Sequence, residues 1–461
     1  MPTDTQHDLP RVLSVRHATS IVVGIIIGSG IFLVPQEMMI AVGSATKVYA
    51  VWIVGGLLSL AGALTYAEIA AARPAYGGEY AFLREAYGDL VAFLHMWTWF
   101  TIAKPASLAS ICAGLVRTLA LFPVFAFFTN SAIGFLTWGQ VAALVALWSV
   151  TLLDIVGTRR AANVQLALTW LKVVLIVLVA AVCFLAAGPI GTMQHFTTTF
   201  AGAHGGFGGF MVALIAALWA YDGWSDVAPM AGEVERPQRN LPIALAGGTL
   251  AVAALYMLTN AAIQYVLPAA SIAASERPAV SALQRVLLAH HLGFGAELVA
   301  VGMIVSITSS FVGSSLSGAR ILFAAARDGL FFRGIARVNP RFQTPAASLV
   351  VQACLASVLV LALGRFQRLF SLAIFADWMT YGLAASTIFI FRRRDAASGT
   401  ARPFSTPLYP FVPLLFVMAA AVVTVFSILD KPVDSLLGML VIALGIPLYL
   451  WFAERRVALP S

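Results

Sequence analysis

Long apolar segments, separated by short polar stretches, make up most of this 461-residue chain. A helix that spans a bilayer needs about 20 predominantly apolar residues. Twelve segments meet that requirement, and they lie near residues 17–41, 46–72, 90–119, 132–153, 161–187, 207–231, 241–266, 293–319, 345–363, 370–391, 408–428 and 434–453. The first run is too long for a cleavable signal peptide. The pattern predicts an all-α integral membrane protein in which residues 1–461 form one domain with twelve transmembrane helices.

Two of these segments are interrupted near their centres. The sequence GSG at residues 28–30 lies in the first segment, and AYDG at residues 220–223 lies in the sixth. Lipid cannot hydrogen-bond to peptide groups, so an unwound stretch is tolerated only where protein buries it or where it faces a cavity. Interrupted segments at matching positions in two halves point to a transporter binding site.

The two interruptions also divide the chain into two comparable halves. Five segments precede the second interrupted one, so residues 17–187 and 207–391 are predicted to be two copies of one five-helix unit. Because five is odd, the second copy enters the bilayer from the opposite face, which gives an inverted repeat. Residues 408–453 then supply two appended helices.

The charge distribution indicates a membrane orientation rather than nucleic-acid binding. The net charge is +8, yet only 10% of the residues are charged. With the N-terminus in the cytoplasm, most Lys and Arg residues fall in cytoplasmic loops and ends, in agreement with the positive-inside rule. Both termini are therefore predicted to be cytoplasmic. All three cysteines fall within predicted helices, where each is expected to act as a small packing residue rather than in an extracellular disulfide.

The break in the first segment combines groups that suit a zwitterion. A helix that restarts near Ser29 and Gly30 presents unpaired amide groups and a positive dipole end, which favour a carboxylate. The preceding half ends near Ile26 and Ile27 and leaves carbonyl oxygens that can accept from an ammonium group. Gly28 gives the backbone its freedom to turn. The alternative is close helix packing through small residues.

The second break offers a matching set of groups. Carbonyl oxygens near Trp219, Ala220 and Asp222 would complete an ammonium site, and the rings of Trp219 and Phe32 are candidates for a lid over the ligand. Core packing is the alternative for both rings. An intramembrane carboxylate is costly and usually functional. Asp222 is therefore either a ligand contact or a structural tie for the unwound backbone.

Two lysines lie far from the ends of their segments. Gln165, Thr169 and Lys172 recur at helical spacing and share one face. A central lysine costs about 2.5–3.5 kcal/mol on insertion scales, so Lys172 must face polar partners or water unless it reaches the interface. Lys104 precedes a proline in the third segment and either lines the pathway or pairs with an acid such as Asp222 or Asp377.

Serines are concentrated in the eighth segment. Ser306, Ser310 and Ser317 share one helical face with Gly313. Their hydroxyl groups are candidate acceptors for Lys172, while close packing of small residues is the alternative.

The sequence lacks the spacings expected of an enzyme or a metal protein. It has no HExxH, CxxC pair, P-loop or GxSxG motif. We therefore expect no catalytic site, no metal and no cofactor. A membrane sensor that binds ligand without transporting it is a further alternative, and a binding assay beside a flux assay distinguishes the two.

Six short motifs occur along the chain: GSGIF at residues 28–32, YDGW at 221–224, AGEV at 231–234, PQRNLP at 237–242, SGAR at 317–320 and AARDGL at 325–330. Together they resemble the amino acid–polyamine–organocation superfamily and its L-type amino acid transporter branch. The resemblance extends over about residues 15–455. It implies twelve helices in a leucine-transporter-like fold, with the first and sixth helices unwound in mid-membrane, and transport by alternating access.

The resemblance also implies roles for particular residues. Ser29 and Gly30 would bind the substrate carboxylate, and the carbonyl groups of Ile26, Trp219 and Asp222 would bind its amine. In many members a lysine of the fifth helix replaces sodium and bridges helices 1 and 8. Lys172 matches that lysine, and Ser309 and Ser310 match the positions in helix 8.

The sequence departs from the family pattern at three places. Val312 stands where many members have asparagine, and Trp219 stands where phenylalanine is frequent, which favours smaller substrates. Residues 120–131 contain no cysteine. A disulfide-linked heavy chain is therefore not expected, and a prokaryotic inner membrane is the expected location.

These observations predict a sodium-independent transporter of neutral L-amino acids that works as an exchanger. Its partners are the lipid bilayer and a small amino acid substrate, with no nucleic acid. One alternative is a proton-coupled symporter with Lys172 or Asp222 as the proton carrier. The other is a transporter of polyamines or cationic amino acids, which Asp222 would favour.

Overall fold

The computed structural model describes residues 9–134, 136–362, 366–430 and 432–458. Residues 363–365, which include the end of the predicted ninth span (345–363) and part of the link to the tenth (370–391), lie outside the described part of the chain. So do the side chains of residues 366–376.

The described residues are predominantly helical. The α-helices are α1 (Val15–Ile26), α2 (Gly30–Val42), α3 (Ala45–Ala72), α4 (Glu79–Tyr87), α5 (Asp89–Thr98), α6 (Lys104–Leu119), α7 (Trp138–Val156), α8 (Thr158–Leu185), α9 (Gly206–Ala220), α10 (Pro237–Pro242), α11 (Gly248–Val266), α12 (Ala269–Ala274), α13 (Pro278–Ala289), α14 (Gly295–Arg327), α15 (Ala346–Ala362), α16 (Phe366–Ser398), α17 (Phe411–Asp430) and α18 (Pro432–Ala458).

Short irregular segments connect and interrupt these helices. The 3₁₀ turns are Pro123–Thr129, Gly188–Ile190, Met193–Thr197, Trp224–Glu233 and Arg333–Ala336, and the π-helical turns are Trp99–Ala103 and Ile243–Gly247. The strands β1 (Ser131–Ile133) and β2 (Leu136–Thr137) pair antiparallel. Because of this hairpin, α7 begins at Trp138, later than the predicted start at residue 132.

Within the described residues, nine helical stretches are long and apolar enough to cross a membrane, or ten if α1 and α2 count as one span. The length and apolar composition of these stretches account for their helical form, since a helix satisfies its own backbone groups in lipid. The protein is therefore an all-helical, multi-pass membrane protein. Cys112 and Cys183 are buried as predicted, whereas Cys354 is exposed at the protein surface and does not pack in the core.

The interior is built where α1 meets α8, α11 and α14, and where α2 meets α9. Aromatic side chains fill the space between α3, α9 and α11. The ring of Trp52 lies edge-on to Tyr221 and Tyr256, with centroid separations of 5.5 and 5.3 Å. This packing holds the end of α9 against α3 and α11.

A buried ion pair ties α14 to the 3₁₀ turn that follows α9. The guanidinium of Arg320 donates to Glu233 at 2.8 Å, and both side chains are fully buried. It also donates to the Thr158 hydroxyl at 2.9 Å and to the Leu316 carbonyl at 2.6 Å. All three guanidinium nitrogens therefore donate hydrogen bonds, which is the condition under which a buried charge is tolerated.

We expect Arg320→Met to lower the free energy of unfolding by about 3–5 kcal/mol, because it leaves Glu233 buried without its partner. The measurement is thermal unfolding of the purified protein in detergent. Arg333→Met is the matched control, since Arg333 is exposed. Equal melting temperatures for the two variants would contradict a stabilising role for the ion pair.

Candidate functional site

The first apolar helix is interrupted between Ile26 and Gly30. The axes of α1 and α2 differ by 41°, and Ser29 occupies the N-cap position of α2 without making a side-chain cap. Because the opening amide groups of a helix have no partner one turn earlier, the start of α2 presents donors to its surroundings. The structure thus provides the donor-rich turn that the sequence predicts at Ser29 and Gly30.

A second interruption follows α9, which ends at Ala220. Gly223 adopts φ +103°, and a side chain there would strike Ile25 of α1. Only glycine fits both requirements, the left-handed backbone and the close approach. The chain continues as the 3₁₀ turn Trp224–Glu233. The two interruptions face each other, since a Cβ atom on Gly30 would lie 3.2 Å from the Cα atom of Ala220.

One hydroxyl group connects the two interruptions. The Oη atom of Tyr256, on α11, lies 2.9 Å from the carbonyl oxygen of Ile26 and 2.9 Å from that of Ala220. A hydroxyl has one proton to donate, so it can satisfy only one of these acceptors fully at a time. Both carbonyl oxygens therefore keep capacity to accept from a cation in the adjoining cavity.

A cavity of about 300 Å³ adjoins both interruptions. From the predicted set, it is lined by Ile26, Gly28, Ser29, Gly30, Trp219, Ala220, Asp222 and Ser310. It extends past Arg117 at the end of α6 and Arg277 before α13. The structure thus places most of the predicted binding residues around one space, of a size within the range of small-molecule sites.

Phe32 does not belong to the cavity wall, in contrast to its predicted role as a lid. Its side chain is 5% exposed and packs in the core, and Leu33 lines the cavity instead. The register of α2 explains the difference. Gly30 and Leu33 are three residues apart and share a helical face, whereas Phe32 points to another face. Trp219, the other predicted lid residue, does line the cavity.

Lys172 is buried and holds three carbonyl oxygens. Its Nζ atom donates to Gly24 at 2.6 Å, to Ile27 at 2.7 Å and to Ser306 at 3.2 Å. The first two acceptors lie at the end of α1 and in the break, and the third lies on α14. The ammonium group therefore bridges the interrupted helix and α14 at a place where water is excluded.

The face of α8 that carries Lys172 also binds α1 through its other polar residues. Gln165 Nε2 and Thr169 Oγ1 donate to the Ser20 carbonyl oxygen at 3.3 and 3.1 Å. Ser309 contacts Thr169 at 3.2 Å and donates to Gln165 at 3.4 Å, so it does not bind Lys172 directly. Ser309 is therefore a support for the α8 face.

The hydroxyl groups of α14 act as donors to the broken helix. Ser306 Oγ donates to the carbonyl oxygens of Ile27 at 2.8 Å and Gly28 at 3.1 Å. Ser310 Oγ lies 3.0 Å from the Gly24 carbonyl oxygen and 3.2 Å from that of Ile27. The carbonyl of Ile27 is thus already engaged by Lys172 and by serines, and Ile27 does not line the cavity. This geometry corrects its predicted place as a free ammonium acceptor.

The part of the cavity next to the 3₁₀ turn Trp224–Glu233, which we call its inner end, is lined by acidic side chains. Asp222 accepts a hydrogen bond from the Tyr381 hydroxyl at 3.0 Å, and Asp377 lines the same wall. Lys104 also lines the cavity, but its partner is Asp226, at 2.7 Å, rather than Asp222 or Asp377. The ammonium group lies 4.8 Å from the centre of the Trp99 ring.

Three residues of this site were not predicted from the sequence, namely Tyr256, Tyr381 and Asp226. Each lies on a helix or turn far along the chain from its partner. Asp226 carried a signal that was available, since it is an acid four residues after Asp222 in an apolar segment. The two tyrosines carried none, because an isolated tyrosine is common in membrane helices. No cluster of three His, Cys, Asp or Glu side chains suited to a metal occurs among the described residues.

Comparison with known proteins gives the family of the chain. Residues 13–447 match the family model described as amino acid permease. The chain is 31% identical to the serine/threonine exchanger SteT of Bacillus subtilis, over 98% of each chain. It is 28% identical to the b(0,+)-type amino acid transporter 1 of mouse, over 95% of this chain and 86% of that protein. It is 28% identical to the human cystine/glutamate transporter, over 98% of this chain and 87% of that protein.

These relatives are transporters, and they cover nearly the whole chain. Their similarity agrees with the motif resemblance seen in the sequence and with the cavity at the two helix interruptions. The chain therefore belongs to the amino acid permease family of the amino acid–polyamine–organocation superfamily, whose members are membrane transporters and not enzymes.

Proposed function

We propose that this protein is a sodium-independent exchanger of small neutral L-amino acids. The observation that carries the proposal is the contact set of Lys172, whose ammonium group binds both α1 and α14 through backbone carbonyls. The positive charge of Lys172 links α1 to α14, as a bound sodium ion at the same position would. A bound sodium ion beside it would meet like-charge repulsion in a medium of low dielectric constant.

The substrate would bind between the two helix interruptions. Its carboxylate would accept from the first amides of α2 at Ser29 and Gly30, where the helix dipole adds a favourable field. Its ammonium group would donate to the carbonyl oxygens of Ile26 and Ala220, which already surround the Tyr256 hydroxyl. The carbonyl groups of Trp219 and Asp222 would complete this site.

The size and charge balance of the cavity favour a small neutral side chain. The volume is about 300 Å³ and Trp219 occupies part of the wall. Lys104 pairs with Asp226, and the Tyr381 hydroxyl satisfies Asp222, so neither acid depends on a substrate cation. The Bacillus relative is a serine/threonine exchanger, which agrees with this choice.

The wider architecture that we propose is the leucine-transporter-like fold. It has twelve membrane helices, an inverted repeat of residues 17–187 and 207–391, and residues 408–453 appended. The positive-inside distribution supports cytoplasmic termini in an inner membrane. Residues 120–131 contain no cysteine, and on this ground we propose transport without a disulfide-linked heavy chain.

Alternating access would move α1 and the 3₁₀ turn Trp224–Glu233 relative to α14. Lys172 would transmit occupancy of the break to α14, because its three acceptors belong to both parts. Exchange would follow if the helices rearrange readily only when the site is filled.

The test is counterflow in proteoliposomes that contain only the purified protein. Vesicles loaded with unlabelled serine should take up external radiolabelled serine, and replacing sodium with choline should leave the rate unchanged. Empty vesicles should show little uptake. An absolute requirement for sodium would overturn sodium independence, and equal uptake by loaded and empty vesicles would overturn exchange.

Proton-coupled import is the alternative mechanism for the same site, with Lys172 or Asp222 as the carrier. It predicts strong uptake into empty vesicles when the outside is acidic. The counterflow vesicles, prepared with and without a pH gradient, separate the two mechanisms in one experiment.

A cationic substrate is a second candidate, favoured by the carboxylates of Asp222 and Asp377 in the cavity wall. A competition panel of the twenty amino acids and of polyamines against labelled serine decides between the candidates. Inhibition by alanine, serine and threonine supports the neutral class, whereas selective inhibition by lysine, arginine or putrescine supports the cationic class.

We expect Trp219→Ala to raise the rate of leucine exchange relative to serine by about tenfold, because one methylene in an apolar pocket changes selectivity by about 1–3 kcal/mol. Trp170→Ala is the matched control, since Trp170 is 64% exposed at the outer surface of the helices. Counterflow rates for both substrates provide the measurement. An unchanged ratio in Trp219→Ala would remove this ring from the selectivity of the site.

A further inference from the structure

A buried carboxylate lies beneath the inner end of the cavity. Glu79 is the first residue of α4, between the candidate spans that end at Ala72 and begin at Asp89. Its side chain is fully buried. Full burial is rare for a glutamate, and side chains on connecting segments usually reach water.

Contacts bring the start of α4 against the 3₁₀ turn Trp224–Glu233. The amide of Gly77 donates to the Pro229 carbonyl oxygen at 3.0 Å. A Cβ atom on Gly78 would lie 2.6 Å from the Pro229 nitrogen, so the two backbones are in direct contact. Movement of this turn would therefore uncover Glu79.

Neither carboxylate oxygen of Glu79 has a hydrogen-bonding partner within the described residues. The hydroxyl group of Ser225 lies next to the carboxylate and makes no hydrogen bond to any other group within the described residues. Without hydrogen bonds, an ionised carboxylate at this buried position would be destabilised by the loss of its hydration. A protonated carboxyl group carries no charge and has an O–H that can donate. The geometry thus favours a bound proton.

The charges around Glu79 point the same way. The positive charge of Lys104 favours an ionised Glu79, but the Lys104 ammonium group already donates to Asp226 at 2.7 Å. The negative charge of Asp226 disfavours a second anion nearby. The other titratable groups that face it are Tyr66 on α3 and, on α16, Asp377 and Tyr381.

Burial is the main cause that raises the pKa of Glu79, to about 8, and Asp226 adds to it. The backbone amide at the start of α4, the Ser225 hydroxyl and Lys104 lower it by smaller amounts. With the turn packed, Glu79 is therefore neutral below about pH 8. Once water reaches the carboxylate, its pKa returns towards the ordinary value and the proton leaves.

We propose that Glu79 is a proton-binding site that stabilises the packed position of the 3₁₀ turn Trp224–Glu233 and thereby keeps the inner end of the cavity closed. The proton binds while the turn covers Glu79 and dissociates when the turn moves away. This inference rests on the proposed alternating-access function, because it makes the bound proton control the opening of the cavity at its inner end.

The sign of the pH dependence follows from linkage. Between the ordinary pKa of a glutamate and about 8, only the closed state holds the proton, so protons favour closure. As the pH rises through about 8, the closed state loses the proton and the advantage disappears. The inner end should therefore open more often at alkaline cytoplasmic pH.

The test measures access to a buried position of the turn. Met230 is fully buried, so a cysteine there reports movement of the turn. Met230→Cys is introduced after Cys112, Cys183 and Cys354 are replaced by alanine. Inverted membrane vesicles are treated with a membrane-impermeant thiol reagent between pH 6 and pH 9. Labelling is divided by that of Arg333→Cys, which is exposed and corrects for thiol ionisation.

We expect normalised labelling to rise about fivefold or more through pH 8 and to stay low at every pH in Glu79→Gln, which mimics the protonated side chain. Glu85→Gln is the matched control on the same helix, because Glu85 is largely exposed in its ion pair with Arg73, and it should retain the rise.

A second variant keeps the proposal testable if Glu79→Gln does not fold. Asp226→Asn leaves the Lys104 ammonium free to stabilise an ionised Glu79, so the midpoint of the rise should move to lower pH. A flat pH profile in the parent, an unaltered rise in Glu79→Gln, or an unshifted midpoint in Asp226→Asn would each overturn the proposal.

Serine counterflow in the same parent protein separates this inference from the proposed function. If serine exchange is observed but labelling of the turn does not depend on pH, only the proposed role of Glu79 is disproved. Absence of any amino acid exchange sinks the proposed function, whatever the labelling shows.

Discussion

Lys172→Ala is expected to reduce serine counterflow to below about one-hundredth of the wild-type rate. The substitution removes a buried cation that donates to Gly24, Ile27 and Ser306, and it leaves their carbonyl oxygens without that donor. A hydrogen bond from a charged group contributes about 1.5–3 kcal/mol. Since 1.4 kcal/mol corresponds to about tenfold, losing two such contacts in one conformational state is sufficient for the predicted effect.

The control for this variant is Lys47→Ala, because Lys47 is an exposed lysine outside the contact set. Both variants should elute as monodisperse protein from size-exclusion chromatography in detergent, which separates a transport defect from misfolding. Wild-type exchange in well-folded Lys172→Ala would remove this residue from the mechanism and with it the main support for sodium independence.

Gly30→Val is expected to abolish transport, and Gly30→Ala to weaken serine binding by about tenfold or more. A Cβ atom on Gly30 would lie 3.2 Å from the Cα and Cβ atoms of Ala220, so the two interrupted helices must separate by a few tenths of an ångström to accept it. Valine adds further atoms where the substrate carboxylate would bind. Overpacking of this kind costs about 1–3 kcal/mol.

Gly28→Ala is the matched control, two residues earlier in the same break. There a Cβ atom would meet only the Ser310 hydroxyl, at an ordinary contact distance of 3.6 Å. Concentration dependence of counterflow gives the apparent affinity of each variant. Equal affinities for Gly28→Ala and Gly30→Ala would contradict a site formed by the close approach of the two breaks.

The positions of most helices were predictable because their causes are local. Apolar composition over about 20 residues selects a helix in lipid, and it does so without regard to partners. For this reason α3, at Ala45–Ala72, lies within one residue of the predicted span 46–72. The late start of α7 was missed because the residues before it are apolar enough to imitate the same helix, yet they form a hairpin.

The candidate site was only partly predictable. Glycine near residues 28–30 and 223 marks where a helix can turn, so the two interruptions were visible in the chain. Which side chains and carbonyl groups face the cavity depends on the register of each helix and on the helices packed against it. The side chain of Phe32 is buried in the core, and the carbonyl oxygen of Ile27 accepts a hydrogen bond from Lys172.

The sequence by itself determined the class of the protein, the places where its helices break and the presence of costly buried charges. These follow from composition and from backbone chemistry, which act over a few residues. Only the tertiary structure decided the partners: Asp226 for Lys104, Ser306 for Lys172, and the Tyr256 hydroxyl for both breaks. Three of these four contacts join residues more than 100 positions apart, which meet only through the packing of whole helices. No local pattern encodes which of several polar groups will arrive at the same place.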